Sequence, residues 1–296
     1  MNIYSNIPSD IIGLTTVVPV SRRNFFMTAS AAAAAGYTLA AGPVRAQVVT
    51  TDTTGLKVGD TTVKVAGGDM PVYFARPDKA KNPPVVLVAM EVFGLHEYIR
   101  DVTRRLAKAG AFAIAPNYYF RSGEDLTKIT EMPKLMPIVN AKPDAELMAD
   151  LDATASWAKS QGGNTGKLAI LGFCRGGRTV WEYSAHNKNL KAGVAFYGPL
   201  VDPPAQKEGG KWTELAADVK APVLGLYGAA DAGIPVAQVE AMKEALAKAK
   251  TKTEFKIYPD APHGFHADYR PSYRKEAAED AWKMAVDWLK KNKVLS

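Results

Sequence analysis

The sequence predicts an α/β fold, a mostly parallel central sheet with helices on both faces. Three observations predict it. Six short, continuous apolar runs recur between residues 83 and 259. Runs of that length without polar alternation are strands buried on both faces, as in a parallel sheet. Between them lie segments whose apolar residues return at helical spacing, and this alternation of strand and helix builds one layered domain.

The elements follow in chain order. Residues 21–26 read SRRNFF, and a small-residue apolar stretch leads to VRA at 44–46. That is the layout of a secretory leader with a twin-arginine pair, Arg22 and Arg23, and a cut expected after Ala46. Residues 1–46 are read as that signal and 47–60 as a flexible lead-in. Residues 61–296 are read as a single domain, exported to the periplasm or secreted. The h-region is shorter and richer in alanine than a membrane span requires, so no stable membrane insertion is expected once the leader is cut.

TTVKVAGG (61–68) and PVYFARP (71–77) alternate about a Gly-Gly-Asp turn and predict a β-hairpin. PPVVLVAM (83–90) is a buried strand. AFAIAP (111–116), GKLAILGF (166–173), KAGVAFYG (191–198), APVLGLYG (221–228) and TEFKIYP (253–259) repeat the pattern. Helices are predicted over 101–108, over a stretch carrying Met148, Leu151, Ala155 and Ala158 on one face, over 236–246 behind Pro235, and over about 272–291. Residues 118–146 have no clear period and hold several aromatic and methionine side chains. A long excursion of that kind in an α/β domain is expected to cover a pocket.

The chain of 296 residues carries a formal charge of +7. Three arginines and one aspartate lie in 1–46, so the remainder carries +5. This mild balance, with no block of Lys or Arg, gives no reason to expect a nucleic-acid partner. Nothing in the sequence specifies an oligomeric state.

The single cysteine lies in AILGFCRGGRTV (169–180), between glycines. Gly172-Phe173-Cys174-Arg175-Gly176 has the spacing G-x-S-x-G with sulfur in place of oxygen. It follows a buried strand and precedes a predicted helix, the context that makes this spacing a nucleophile turn. A helix N-terminus directly behind a thiol favours both a thiolate and a developing oxyanion. Asp231 follows the strand PVLGLYG, and His263 follows FKIYP. Both are therefore expected at the same sheet edge as Cys174, in the chain order nucleophile, acid, histidine.

MEVFGL (90–95), GFCRGG (172–177), YGAADAGIP (227–235) and APHGF (261–265) together resemble the dienelactone hydrolase family, on the α/β-hydrolase fold. The resemblance spans about residues 62–291. It implies a triad of Cys174, His263 and Asp231, with Glu91 controlling ionisation of the nucleophile. It also implies backbone N–H donors at Val92 and Arg175 for an oxyanion, and hydrolysis of a small-molecule ester or lactone through an acyl-thioester without a cofactor. One departure stands out. Arginines that hold a substrate carboxylate in that family are not matched: residues 126–150 contain none, and Ala267 stands four residues after His263.

Candidate pocket residues are Phe93, Tyr119, Phe120, Arg121, Tyr197 and Phe265. Arg175, Arg178 and Arg270 are further candidates to grip an anion. Asp260 is an alternative acid, while His96 and His186 are expected to be surface or helix residues. His263 and His266 form an H-x-x-H pair, but without the spacing and adjacent Glu of helical zinc motifs, so no metal is expected. Three other readings stay open: a thiol redox or peroxide-handling protein, a non-catalytic small-molecule binder on the same fold, and metal-assisted hydrolysis through His263 and His266.

Overall fold

A computed structural model describes residues 49–200 and 215–296. The leader expected over 1–46 lies outside the described residues. Eight strands form one sheet: β1 (Leu56–Val65), β2 (Gly68–Pro77), β3 (Pro84–Ala89), β4 (Phe112–Pro116), β5 (Asn164–Phe173), β6 (Ala192–Phe196), β7 (Val223–Gly228) and β8 (Thr253–Tyr258). Their spatial order is β1-β2-β4-β3-β5-β6-β7-β8. The pairs β1–β2 and β2–β4 are antiparallel, and every later pair is parallel. The predicted fold class is what forms.

Burial follows composition. β3, β4, β6 and β7 are buried almost throughout, whereas the edge strands β1 and β8 alternate. The described helices are α1 (Glu97–Lys108), α2 (Met132–Asn140), α3 (Asp144–Ser160), α4 (Arg175–His186), α5 (Val236–Lys248) and α6 (Lys275–Lys291). None of them is long and apolar enough to cross a membrane. α2 was not legible as a helix, because Pro133 and Pro137 break its period; Pro133 sits in the first turn, where its missing N–H costs nothing.

Two boundaries differ from the sequence reading. The hairpin turns on Ala66-Gly67, with Val65 paired to Gly68, and Gly67 takes φ 85°. The stretch 47–60 is not simply a flexible lead-in. β1 begins at Leu56, and the residues before it are tied down. Val49 N–H donates to Asp268 Oδ2 at 2.8 Å and Thr51 N–H to Asp101 Oδ1 at 2.6 Å. Arg104 Nε donates to the Thr51 carbonyl at 3.0 Å. Asp101 and Asp268 are buried carboxylates, and buried carboxylates require donors. The polar Thr-rich strap supplies them.

The parallel register decides where function can sit. Ala89 pairs with Gly172, and Gly228 with Tyr258. The residues that follow β3, β5, β7 and β8 therefore emerge at one edge of the sheet, and these include Glu91, Cys174, Asp231 and His263. Open parallel sheets bind ligands at that carboxyl edge.

Strand and helix meet at the β5–α4 turn with no space for a side chain. A Cβ at Gly176 would lie 2.1 Å from the Ala89 carbonyl oxygen, and one at Gly172 would lie 2.3 Å from the Gly176 carbonyl oxygen. Both neighbours are backbone atoms that cannot turn away. Gly176→Ala is therefore expected to cost about 3 kcal/mol, roughly 6–12 °C in Tm for a domain of this size, measured by thermal unfolding against wild type.

Candidate active site

Cys174 occupies the turn between β5 and α4 with φ 53° and ψ −121°. A non-glycine residue holds such a conformation only where its surroundings dictate it. Here the Cys174 N–H donates to the Phe196 carbonyl on β6 at 3.0 Å, while its own carbonyl accepts the first helical bond from Arg178 N–H at 3.1 Å. The thiol is lifted above the sheet edge yet is only 1% exposed. Tyr118, Tyr119, His263 and Arg270 all lie within its electrostatic reach.

His263 Nδ1 stands 2.7 Å from Asp231 Oδ2. The other carboxylate oxygen, Oδ1, accepts from Gly233 N–H at 2.8 Å and Ile234 N–H at 3.1 Å, so Asp231 is clamped by its own loop. The imidazole also lies within electrostatic reach of Cys174. Burial opposes a charge on His263, but the Asp231 carboxylate and then Cys174 outweigh it and raise the imidazole to about 10. Asp260, the alternative acid, is exposed on its turn.

Glu91 is fully buried beside this line. Tyr269 donates its hydroxyl to Oε2 at 2.8 Å, Arg270 Nη2 donates to Oε1 at 3.3 Å, and His96 Nε2 stands 3.3 Å from Oε2. Burial pushes this carboxyl up, but the Arg270 guanidinium and then His96 pull it down to about 2. It is thus an anion held by a cation. Arg270 also lies 4.4 Å over the Phe93 ring and 4.9 Å over the Tyr269 ring. Val92 is buried directly after Glu91, and Arg175 opens α4, where the first backbone N–H groups have no helical acceptor.

The remaining candidates separate into near and far. Tyr197 is buried with its ring 5.1 Å from the His263 ring, edge to face. Tyr119 is buried, and its hydroxyl has no hydrogen-bond partner. Phe120 and Arg121 are drawn toward the hairpin turn, and Arg121 also lines a recess beside Tyr118 and Tyr119. The Phe120 ring packs over Gly68, and Arg121 donates to the Ala66 carbonyl and to Asp150. Phe265 is fully buried between Tyr197 and Tyr258, as core. Arg175 and Arg178 are bound to Glu182.

The H-x-x-H pair is divided. His263 turns to Asp231, whereas His266 Nδ1 meets the Tyr98 hydroxyl at 2.6 Å. Burial and then the Arg105 cation push His266 down to about 3, leaving it neutral. Among the described residues no group of three or more His, Cys, Asp or Glu is placed to hold a metal ion. His186 is a surface residue paired with Asp152, as expected, but His96 is not. It precedes α1 and stands in the Glu91 cluster. Sequence reasoning missed His96, Tyr98, Tyr118, Tyr269 and the ion pair of Arg270 with Glu91. The one available signal was that Tyr269 and Arg270 share a short loop with His263.

Residues 70–293 match the model of the dienelactone hydrolase family. A protein of Methylorubrum extorquens named "Putative carboxymethylenebutenolidase" is 46% identical over 285 residues, spanning 95% of this chain and 97% of its own length. A protein of the same name from Escherichia coli (strain K12) is 46% identical over 257 residues, spanning 86% of this chain and 94% of its own. A crystal structure of a "Putative Dienelactone Hydrolase" from Klebsiella pneumoniae is 46% identical, with a TM-score of 0.77, covering 80% of this chain and 99% of that one. By sequence and by fold, the chain belongs to the dienelactone hydrolase family of α/β-hydrolase-fold hydrolases.

Proposed function

We propose that the protein hydrolyses carboxylic esters or lactones by covalent catalysis at Cys174. The observation that carries this reading is an imidazole held between a clamped carboxylate and a thiol on a strained turn. His263 takes the thiol proton on Nε2, and Asp231 stabilises the resulting imidazolium. The sulfur attacks the carbonyl carbon. The oxyanion so formed is received by the backbone N–H groups of Val92 and Arg175, at the positive end of α4. As the tetrahedral intermediate collapses, the C–O bond breaks and His263 returns its proton to the leaving alkoxide. A thioester remains on Cys174. His263 then deprotonates water, which attacks the thioester, and the carboxylic acid leaves with Cys174 restored.

In this scheme Glu91 is a positioning residue rather than a base. Its oxygens are engaged by Tyr269, Arg270 and His96. It holds the Arg270 cation near the sulfur. A redox role is not favoured, because Cys174 is the chain's only cysteine and has no resolving partner within it.

Removal of the nucleophile tests the reading directly. Cys174→Ala should lower kcat/KM on 4-nitrophenyl acetate by roughly four to six orders of magnitude. Wild type quenched during turnover should show an acyl mass increment on the peptide containing Cys174. Absence of both effects would refute the scheme.

The pH profile follows from the imidazole. Alkyl esters need the imidazolium as acid toward the leaving alkoxide. With burial outweighed by Asp231 and then Cys174, which raise the imidazole to about 10, the proton taken from the thiol stays on the ring through neutral pH and is lost as the pH passes that value. Once the sulfur is in the thioester its contribution is gone, and the ring that has protonated the alkoxide can take a proton from water. Turnover of alkyl esters should therefore hold until about pH 10 and fall above it. In Asp231→Asn the fall should move toward neutral pH, and kcat should drop by roughly four orders of magnitude. An unmoved alkaline limb would count against the assigned pair.

A further inference from the structure

The topology separates the two sides of Cys174. In the sheet order, β4 and β3 lie on one side of β5, and β6, β7 and β8 on the other. Asp231 and His263 belong to the β7–β8 side. In the proposed scheme the leaving alkoxide must lie toward the imidazole that protonates it, so the acyl group must extend the opposite way, toward the end of β4.

A recess of about 480 Å³ lies there, within the volume range of small-molecule sites. Tyr118, Tyr119, Pro137, Ile138, Ala141 and Pro143 supply a largely apolar wall. Two contacts join it to the nucleophile turn. Tyr118 donates its hydroxyl to the Met90 carbonyl at 2.7 Å, the same backbone against which Gly176 is packed. Arg175, the residue after the nucleophile, reaches Asp144 at 3.1 Å, directly after Pro143 of the wall. Tyr119 is 3% exposed, and its hydroxyl is buried without a hydrogen-bond partner. A buried hydroxyl left unpaired costs free energy until something accepts from it.

The cations around this recess and the neighbouring nucleophile turn each have a carboxylate partner among the described residues. Arg121 is held by Asp150, and Lys142 by Asp150 and Glu146. Arg175 is held by Glu182 and Asp144, Arg178 by Glu182, and Arg270 by Glu91. Five cations thus face five carboxylates among the described residues. A substrate carboxylate entering here would have to displace one of these carboxylates or be buried beside it, and either is costly.

Resting on the hydrolase reading above, we propose that the recess between Tyr118-Tyr119 and α2 is the acyl pocket. It takes an uncharged, mainly apolar acyl chain that carries one hydrogen-bond acceptor for the Tyr119 hydroxyl. The preferred substrates are then neutral esters or lactones of keto- or oxygen-substituted acids, not esters carrying a free carboxylate.

Chain-matched 4-nitrophenyl esters test this: acetate, pentanoate, 4-oxopentanoate and the glutarate half-ester. Wild type should favour pentanoate over the glutarate half-ester by about tenfold or more in kcat/KM, and should favour 4-oxopentanoate further. Tyr119→Phe should abolish the preference for 4-oxopentanoate over pentanoate. Ile138→Trp, which fills the recess, should lower the ratio of pentanoate to acetate turnover by about tenfold, with thermal unfolding as the control for folding. Equal or faster turnover of the glutarate half-ester would overturn the proposal, as would equal slowing of acetate and pentanoate by Ile138→Trp. An unchanged 4-oxopentanoate preference in Tyr119→Phe would overturn the part assigned to that hydroxyl. Failure of wild type to hydrolyse any of the four, with no acyl group on Cys174, would instead overturn the hydrolase reading, and the acyl pocket with it.

Discussion

One backbone conformation governs the geometry of this site: the positive φ of Cys174 between β5 and α4. Such a conformation costs on the order of 1–3 kcal/mol in a residue with a Cβ. It persists because the structure around it allows no other. Gly172 and Gly176 bring the strand and the helix within backbone contact of each other and of β3, and the Cys174 N–H is tied to β6. Three neighbouring strands thus fix one sulfur atom. Relaxing the turn would move the thiol away from His263 and the α4 N-terminus away from the Val92 N–H together.

The charged groups about the thiol obey a second constraint. Glu91 is buried at the end of an apolar strand, where an isolated anion would be strongly disfavoured. Arg270, Tyr269 and His96 compensate it. Asp231 is likewise compensated by its loop N–H groups and by His263. Each buried anion therefore has its own donors, and the loop from His263 to Arg270 serves both. The strap before β1 reinforces that loop from behind through Val49 and Asp268, linking a segment remote from the chemistry to the loop that carries the histidine.

Much of the fold was legible because it rests on local patterns. Unbroken apolar runs marked β3 to β7, and glycine spacing marked the nucleophile turn before any contact was known. Chain order and post-strand position selected Asp231 over Asp260. Legibility failed where proline obscured a helical period, in α2. It failed also where a polar segment is ordered only by distant partners, as residues 49–54 are by Asp101 and Asp268. The aromatic candidates divided for the same reason. Nothing in the chain near Phe120, Arg121 or Phe265 tells whether a ring or a guanidinium faces a thiol, a hairpin turn or the core.

The sequence by itself determined the parallel sheet, the sharp turn beneath Cys174, and the edge at which the acid and the histidine emerge. Those depend on apolar periodicity and on glycine, properties of neighbouring residues. Only the tertiary structure decided which charges meet: Glu91 with Arg270 across 179 positions, His266 with Tyr98 rather than with His263, and Tyr119 buried without a partner. Electrostatic pairing depends on distance in space and on burial, and spacing along the chain carries neither.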